Sequence, residues 1–160
     1  MTNTIQRVIE LAIEIQQIPA PTFNESRRGE FVREVFTREG LSDVSIDEAG
    51  NVFGLLSSSQ PLTAKSQPLI ISAHTDTVFP LEMDLRVKRE AEKVYGIGIG
   101  DNSLGVAGLV GLIWMIRERN IKLNGDVWFV ANVCEEGLGD LHGMKAVVER
   151  FGADVHAYLV

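Results

Sequence analysis

The sequence predicts an α/β fold, a three-layer arrangement in which a mixed β-sheet is flanked by helices. Apolar runs of strand length alternate along the chain with segments whose apolar residues recur at helical spacing. Two of the runs, "LIISA" from Leu69 and "DVWFVANV" from Asp126, are almost wholly apolar, as buried strands are. A third stretch, "VSIDEAGNVFGLLSS" from Val44, alternates and turns at Ala49-Gly50-Asn51, which reads as a β-hairpin and makes the sheet mixed.

In chain order, a first helix is expected from about Thr4 to Ile18, with Ile5, Val8, Ile9, Ala12 and Ile13 on one face and Pro19 as its stop. Arg7, Glu10 and Glu14 interrupt this segment, so it is not the apolar core of a signal peptide. "PAPTFNES" follows as a loop. Thr22 and Glu25 have the spacing of a capping box, opening a second helix through Phe31, Val32, Val35 and Phe36 that Gly40 ends. The hairpin comes next, then a polar loop, "SSSQPLTAKSQP", and the first buried strand. A charged stretch from Glu82 to Lys93 leads to "VYGIGIGD" and a helix from about Ser103 to Glu118. Its apolar part, "VAGLVGLIWMI", is too short to cross a bilayer. After the second buried strand a glycine-rich loop reaches a helix near Met144 to Arg150, and "VHAYLV" is a last short strand. There is no internal repeat and no domain boundary. Val160 is apolar and falls inside the last strand, so residues 1–160 are expected to be part of a longer protein, incomplete at the C-terminus.

The composition is that of a globular domain, 45% hydrophobic and 23% charged over 160 residues, enough to bury one core. A net charge of −7 argues against nucleic acid or an anionic membrane as partner, since both need a basic face, but it suits a cation site. The single cysteine, Cys134, excludes an intrachain disulfide and points to a reducing, cytoplasmic setting.

Three places put ionisable groups just after apolar strands or at a helix start, and ligands of α/β sheets bind outside the strands' carboxyl ends. His74 and Asp76 form a His-x-Asp pair. In extended chain, residues two apart point the same way, so the Asp76 carboxylate can accept the second ring N–H of His74 and fix its tautomer. A lone pair of this kind also occurs as a solvated surface feature. Asp101 precedes a helix and is either its N-cap or a carboxylate metal ligand. "GIGIGD" lacks the third glycine of the dinucleotide fingerprint, which excludes that reading. Glu135 and Glu136 are adjacent carboxylates after a core strand. Either they are solvated, or one holds a metal while the other faces a water as general base. Cys134 reads as a small buried hydrophobe, His142 as a loop residue and His156 as a strand residue. One imidazole with several carboxylates suits zinc or a similar divalent ion in a hydrolytic site.

"SAHTDTVFP", "GIGIGDNSLGVAGL" and "CEEGLGDLHG" resemble, in order and spacing, the three successive motifs of the co-catalytic zinc metallopeptidases of peptidase family M20. That family includes aminoacylases, acetylornithine deacetylases, succinyl-diaminopimelate desuccinylases, glutamate carboxypeptidases and peptidase T. The likeness extends to the N-terminal helices and the "PAPTFNE" loop. It implies a zinc-exopeptidase-like catalytic domain with two zinc ions, or cobalt or manganese in their place. By resemblance His74 would bind one metal, Asp101 would bridge the two, and Glu136 would bind the second. Asp76 would orient His74, Glu135 would be the general base of amide hydrolysis, and Asp101-Asn102 would be a cis peptide. The implied substrate is a small peptide or an N-acyl amino acid, and the complete protein would be a homodimer.

By the family's spacing a further carboxylate ligand falls at or just beyond Val160. By the same resemblance a last histidine ligand and an inserted lid domain would lie further on. Residues 1–160 alone are therefore expected to have little activity. The competing expectation is a non-catalytic metal-binding or interaction fragment of such a protein. Many members carry a lysine shortly after the bridging aspartate, where this chain has Leu104.

Overall fold

The computed structural model describes residues 2–61, 63 and 66–160. Two helices open the chain, α1 (Thr2–Gln16) and α2 (Ser26–Arg38). A hairpin of β1 (Ser42–Ile46) and β2 (Val52–Leu56) precedes β3 (Leu69–His74) and a small hairpin of β4 (Lys88–Glu90) and β5 (Lys93–Tyr95). Helix α3 (Leu104–Glu118), β6 (Val127–Asn132), α4 (His142–Phe151) and β7 (Ala157–Leu159) complete the order.

Among the described residues, five strands make one mixed sheet in the order β1-β2-β6-β3-β7. β1 and β2, and β2 and β6, are antiparallel, while β3 runs parallel to both β6 and β7. The period of two along each strand sorts side chains between two cores. Val127, Phe129 and Ala131 of β6, with Leu69, Ile71 and Ala73 of β3, face α1, α2 and α3. Ile70, Val130 and Phe53 face α4 through Val147, with Met144 and Phe151 packed around them. These are the three layers and the mixed sheet that the sequence predicts.

Several boundaries move. The first helix ends at Gln16, two residues early, because the Ile18 N–H turns back to Ile15 O at 3.1 Å in a tightened last turn before Pro19. Thr22 and Glu25 do not form a capping box. Glu25 is itself the residue before α2, and neither side chain caps the helix, because both are used elsewhere. Gly40, at φ +66°, follows α2 as expected. The hairpin turn is tied by Asp47, whose Oδ1 accepts the N–H groups of Gly50 and Asn51. The charged stretch, given no element from sequence, contains β4, and β5 starts at its last residue, Lys93. The polar loop expected over 57–68 falls partly on residues 62, 64 and 65, which lie outside the described residues. By length and composition alone the run Ile99–Glu118 could cross a membrane, but it is broken at Asp101 and Asn102, where the backbone is not helical, and α3 itself is 15 residues, as short as its apolar part suggests. Val106, Leu109, Val110 and Ile113 sit in the first core, as in the core helix of a globular domain.

Candidate metal centre

The parallel register sets His74, the last residue of β3, beside Asn132, the last residue of β6. The two most apolar strands therefore end together, and the loops leaving them carry Asp76 and the Glu135-Glu136 pair to the same crevice. The segment before α3 brings Asp101 there as well. His74 Nε2 lies 3.0 Å from Asp101 Oδ1 and 3.9 Å from Glu135 Oε2. Ligand atoms of His74, Glu135 and Glu136 all fall within 4.8 Å of one another. Asp101 is outside that tightest set and joins it through the imidazole.

The other face of the ring meets Asp76, though not as expected. Nδ1 is 3.2 Å from the Asp76 main-chain oxygen and 3.6 Å from carboxylate Oδ1, so the carbonyl is the closer partner. The carboxylate is occupied elsewhere. Oδ1 accepts the Glu135 N–H at 3.0 Å, and Oδ2 accepts the Glu136 N–H at 3.0 Å and the Thr22 hydroxyl at 2.9 Å. The residue is 0% exposed. Burial acts to raise its pKa, but the His74 ring and these donors outweigh burial and hold it at about 2.

Asp101 contrasts with it. The peptide Asp101-Asn102 is cis, as the resemblance implies, and the backbone around it is not helical. Asn102 Oδ1, not Asp101, accepts the Gly105 N–H at 3.1 Å at the start of α3. The capping alternative for Asp101 thus gives way, and its side chain, 75% exposed, is free to reach the imidazole.

The turn bearing the glutamate pair continues β6 beyond its last ladder residue, and side chains take over the ladder. Asn51 Oδ1 accepts the Val133 N–H and Glu25 Oε1 accepts the Cys134 N–H, both at 3.1 Å, and Asp76 takes the next two. On the carbonyl side, Gly143, His142 and Leu141 donate N–H groups to Val133, Cys134 and Glu135. This return path requires glycine. A Cβ at Gly143 would stand 2.2 Å from Val133 O, and one at Gly139 would stand 2.6 Å from Cys134 C and O.

Electrostatics fit a cation. Glu136 has its pKa raised by burial and by the charges of Asp101 and Glu135. Burial pulls the His74 pKa down, but Asp76, Glu135 and Asp101 together carry it above its ordinary value. A divalent ion among these carboxylates would relieve their mutual repulsion, and an imidazole with carboxylates is a donor set for zinc, cobalt or manganese. Cys134 is buried, and burial and the nearby Glu25 push its thiol up to about 11, so it is no nucleophile near neutral pH. His142 begins α4, and His156 precedes β7 rather than lying in it.

The structure brings His74, Asp76, Asp101, Glu135 and Glu136, the five candidate site residues, together beyond the ends of β3 and β6. Thr22, Glu25, Arg28 and Asn51, which support them, were not identified from the sequence as site residues. Arg28 carried a signal, being a charge on the face of α2 that Val32, Val35 and Phe36 line.

The sequence model of peptidase family M20/M25/M40 matches residues 70–160, and the chain belongs to that family. Among solved structures, a tripeptidase from Staphylococcus aureus is similar at 27% identity and a TM-score of 0.71, over 89% of this chain and 40% of that one. Aminopeptidase PepT from Bacillus cereus has 22% identity and a TM-score of 0.78, over 96% of this chain and 42% of that one. Human carnosine dipeptidase 1 has 16% identity and a TM-score of 0.70, over 98% of this chain and 37% of that one. The chain thus spans about two fifths of the length of these proteins. Comparison with curated protein sequences gives no match.

Proposed function

We propose that residues 1–160 form the N-terminal portion of the catalytic domain of a metal-dependent peptide-bond hydrolase. The observation that carries this reading is the convergence of His74, Glu135 and Glu136 within 4.8 Å, with Asp101 against the imidazole. His74, Asp101 and Glu136 would hold the metal, zinc by preference. A divalent ion held there would supply Lewis-acid polarisation of the scissile carbonyl.

The chain's own groups do the rest. Glu135, in the same cluster, takes a proton from the attacking water and returns it to the leaving amine. Asp76 orients His74 through its main-chain oxygen on Nδ1 and fixes the backbone of both glutamates. The tripeptidase, aminopeptidase and dipeptidase among the similar structures favour a short peptide over an N-acyl amino acid as substrate. The single cysteine and the family likeness support a cytoplasmic homodimer as the complete protein.

The test is metal content after stripping and dialysis against zinc, for the chain and for His74→Ala. Zinc held by the first and lost by the second is expected, and equal retention by both would sink the assignment. In the full-length protein, Glu135→Gln should keep its metal and lose hydrolysis of short peptides.

A further inference from the structure

Arg28 is the largest fully buried side chain of the molecule among the described residues. A guanidinium at a core-facing helix position is costly unless something solvates it. Two loops do so. Nε and Nη2 donate to Ile18 O at 2.9 and 2.5 Å, and Nη1 donates to Thr75 O at 2.6 Å. Ile18 lies in the loop leaving α1, and Thr75 lies between His74 and Asp76.

The same two loops are joined again a few residues on. Thr77 N–H donates to Ala20 O at 2.9 Å, Thr22 N–H to Thr77 O at 3.3 Å, and the Thr22 hydroxyl reaches Asp76. Burial pulls the guanidinium's pKa down to about 10, and the charges of Asp76 and Glu25, the carboxylates that accept the backbone of Cys134, Glu135 and Glu136, act against that loss. One buried cation thus stands behind two buried anions, and those anions hold the turn that carries the glutamate pair.

We propose that Arg28 is a positioning residue for the metal centre, tying the loop after α1 to the loop after β3 and balancing the charge of the two carboxylates that hold the Cys134–Glu136 backbone. The inference rests on the metal-centre reading given above. It also explains the residue type. Lysine would keep the charge but lacks the planar fork that spans two carbonyls.

The experiment is a Co2+ titration of the metal-free full chain, read by visible absorption, for Arg28→Met and Arg28→Lys beside the unaltered protein. Circular dichroism establishes that each variant is folded at the assay temperature. Arg28→Met is expected to bind cobalt about tenfold or more weakly with altered band intensities, and Arg28→Lys to fall between it and the unaltered chain. A purely structural role would leave the spectrum of the folded variant unchanged. Undiminished affinity with an unchanged spectrum overturns the positioning role while leaving the metal centre standing. Should the Arg28 variants not fold, Thr22→Val and Glu25→Gln probe the other end of the same connection. Several-fold weaker cobalt binding in both is then expected, and unchanged binding in both overturns the inference. No cobalt bound by the unaltered chain would sink the metal-centre reading, and the role of Arg28 with it.

Discussion

Two aspartates meet the same imidazole from opposite sides, and their surroundings could hardly differ more. Asp76 is 0% exposed and accepts three hydrogen bonds, whereas the Asp101 side chain is 75% exposed and touches His74 Nε2. The first carboxylate is spent on protein donors and sets geometry. The second remains available to a ligand. Neither the residue type nor the position beside a strand or helix end distinguishes them. The difference lies in the neighbouring side chains, Thr22 on one side and Asn102 on the other, which respectively engage Asp76 and relieve Asp101 of capping.

The contrast can be broken most severely at Asp76. Replacement by alanine leaves two backbone N–H groups and a hydroxyl without their acceptor and removes one of the two counter-charges of Arg28. A loss of about 3 kcal/mol or more in urea unfolding is expected, with metal binding abolished. A change under about 1 kcal/mol would show that the carboxylate is not the anchor described here. At Asp101 the signs separate. Asp101→Asn should shift stability by no more than about 0.5 kcal/mol yet weaken zinc affinity about tenfold or more in calorimetric titration. If affinity holds while stability falls, the assignments of the two aspartates are exchanged.

The smallest effect is one of pH. Asp76 is held at about 2, below its ordinary 3.8. Its ionised form therefore stabilises the fold fully above about pH 4, and that contribution is lost as pH falls from about 4 through about 2. The urea midpoint should decline over that window, and less steeply in Asp76→Asn. Parallel profiles would mean that other carboxylates govern acid unfolding.

Much of this was legible in the sequence, for physical reasons. Continuous apolar runs have little choice but to be central strands, so β3 and β6 and the acids after them could be read directly. The His-x-Asp pair, Asp101 and the glutamates then fell at strand or helix ends. What could not be read was how neighbouring side chains divide the backbone's hydrogen bonds. Thr22 and Glu25 have the spacing of a capping box, yet their side chains bond Asp76 and the Cys134 N–H instead of the helix end. Asp101 has the spacing of a cap, but Asn102 does the capping. The expected carboxylate contact to His74 is lengthened to 3.6 Å and the carbonyl is the closer partner, because the backbone of the glutamate turn also claims the carboxylate. Long-range competition of this kind leaves no period in the chain. Arg28 is the exception, since a charge within an apolar stripe stands out from helical spacing alone.

The turn from Val133 to Glu136 lies outside the sheet but is bonded along both edges, to Asn51, Glu25 and Asp76 through its N–H groups and to the segment entering α4 through its carbonyls. Its four amide hydrogens are held by three separate segments, the hairpin turn at Asn51, Glu25 before α2 and Asp76 after β3. Exchange at these four positions is therefore expected to be slower than in a loop whose N–H groups face solvent. The glutamate side chains thus rotate on a backbone pinned along both edges, so they can adjust to a ligand without the turn losing its place.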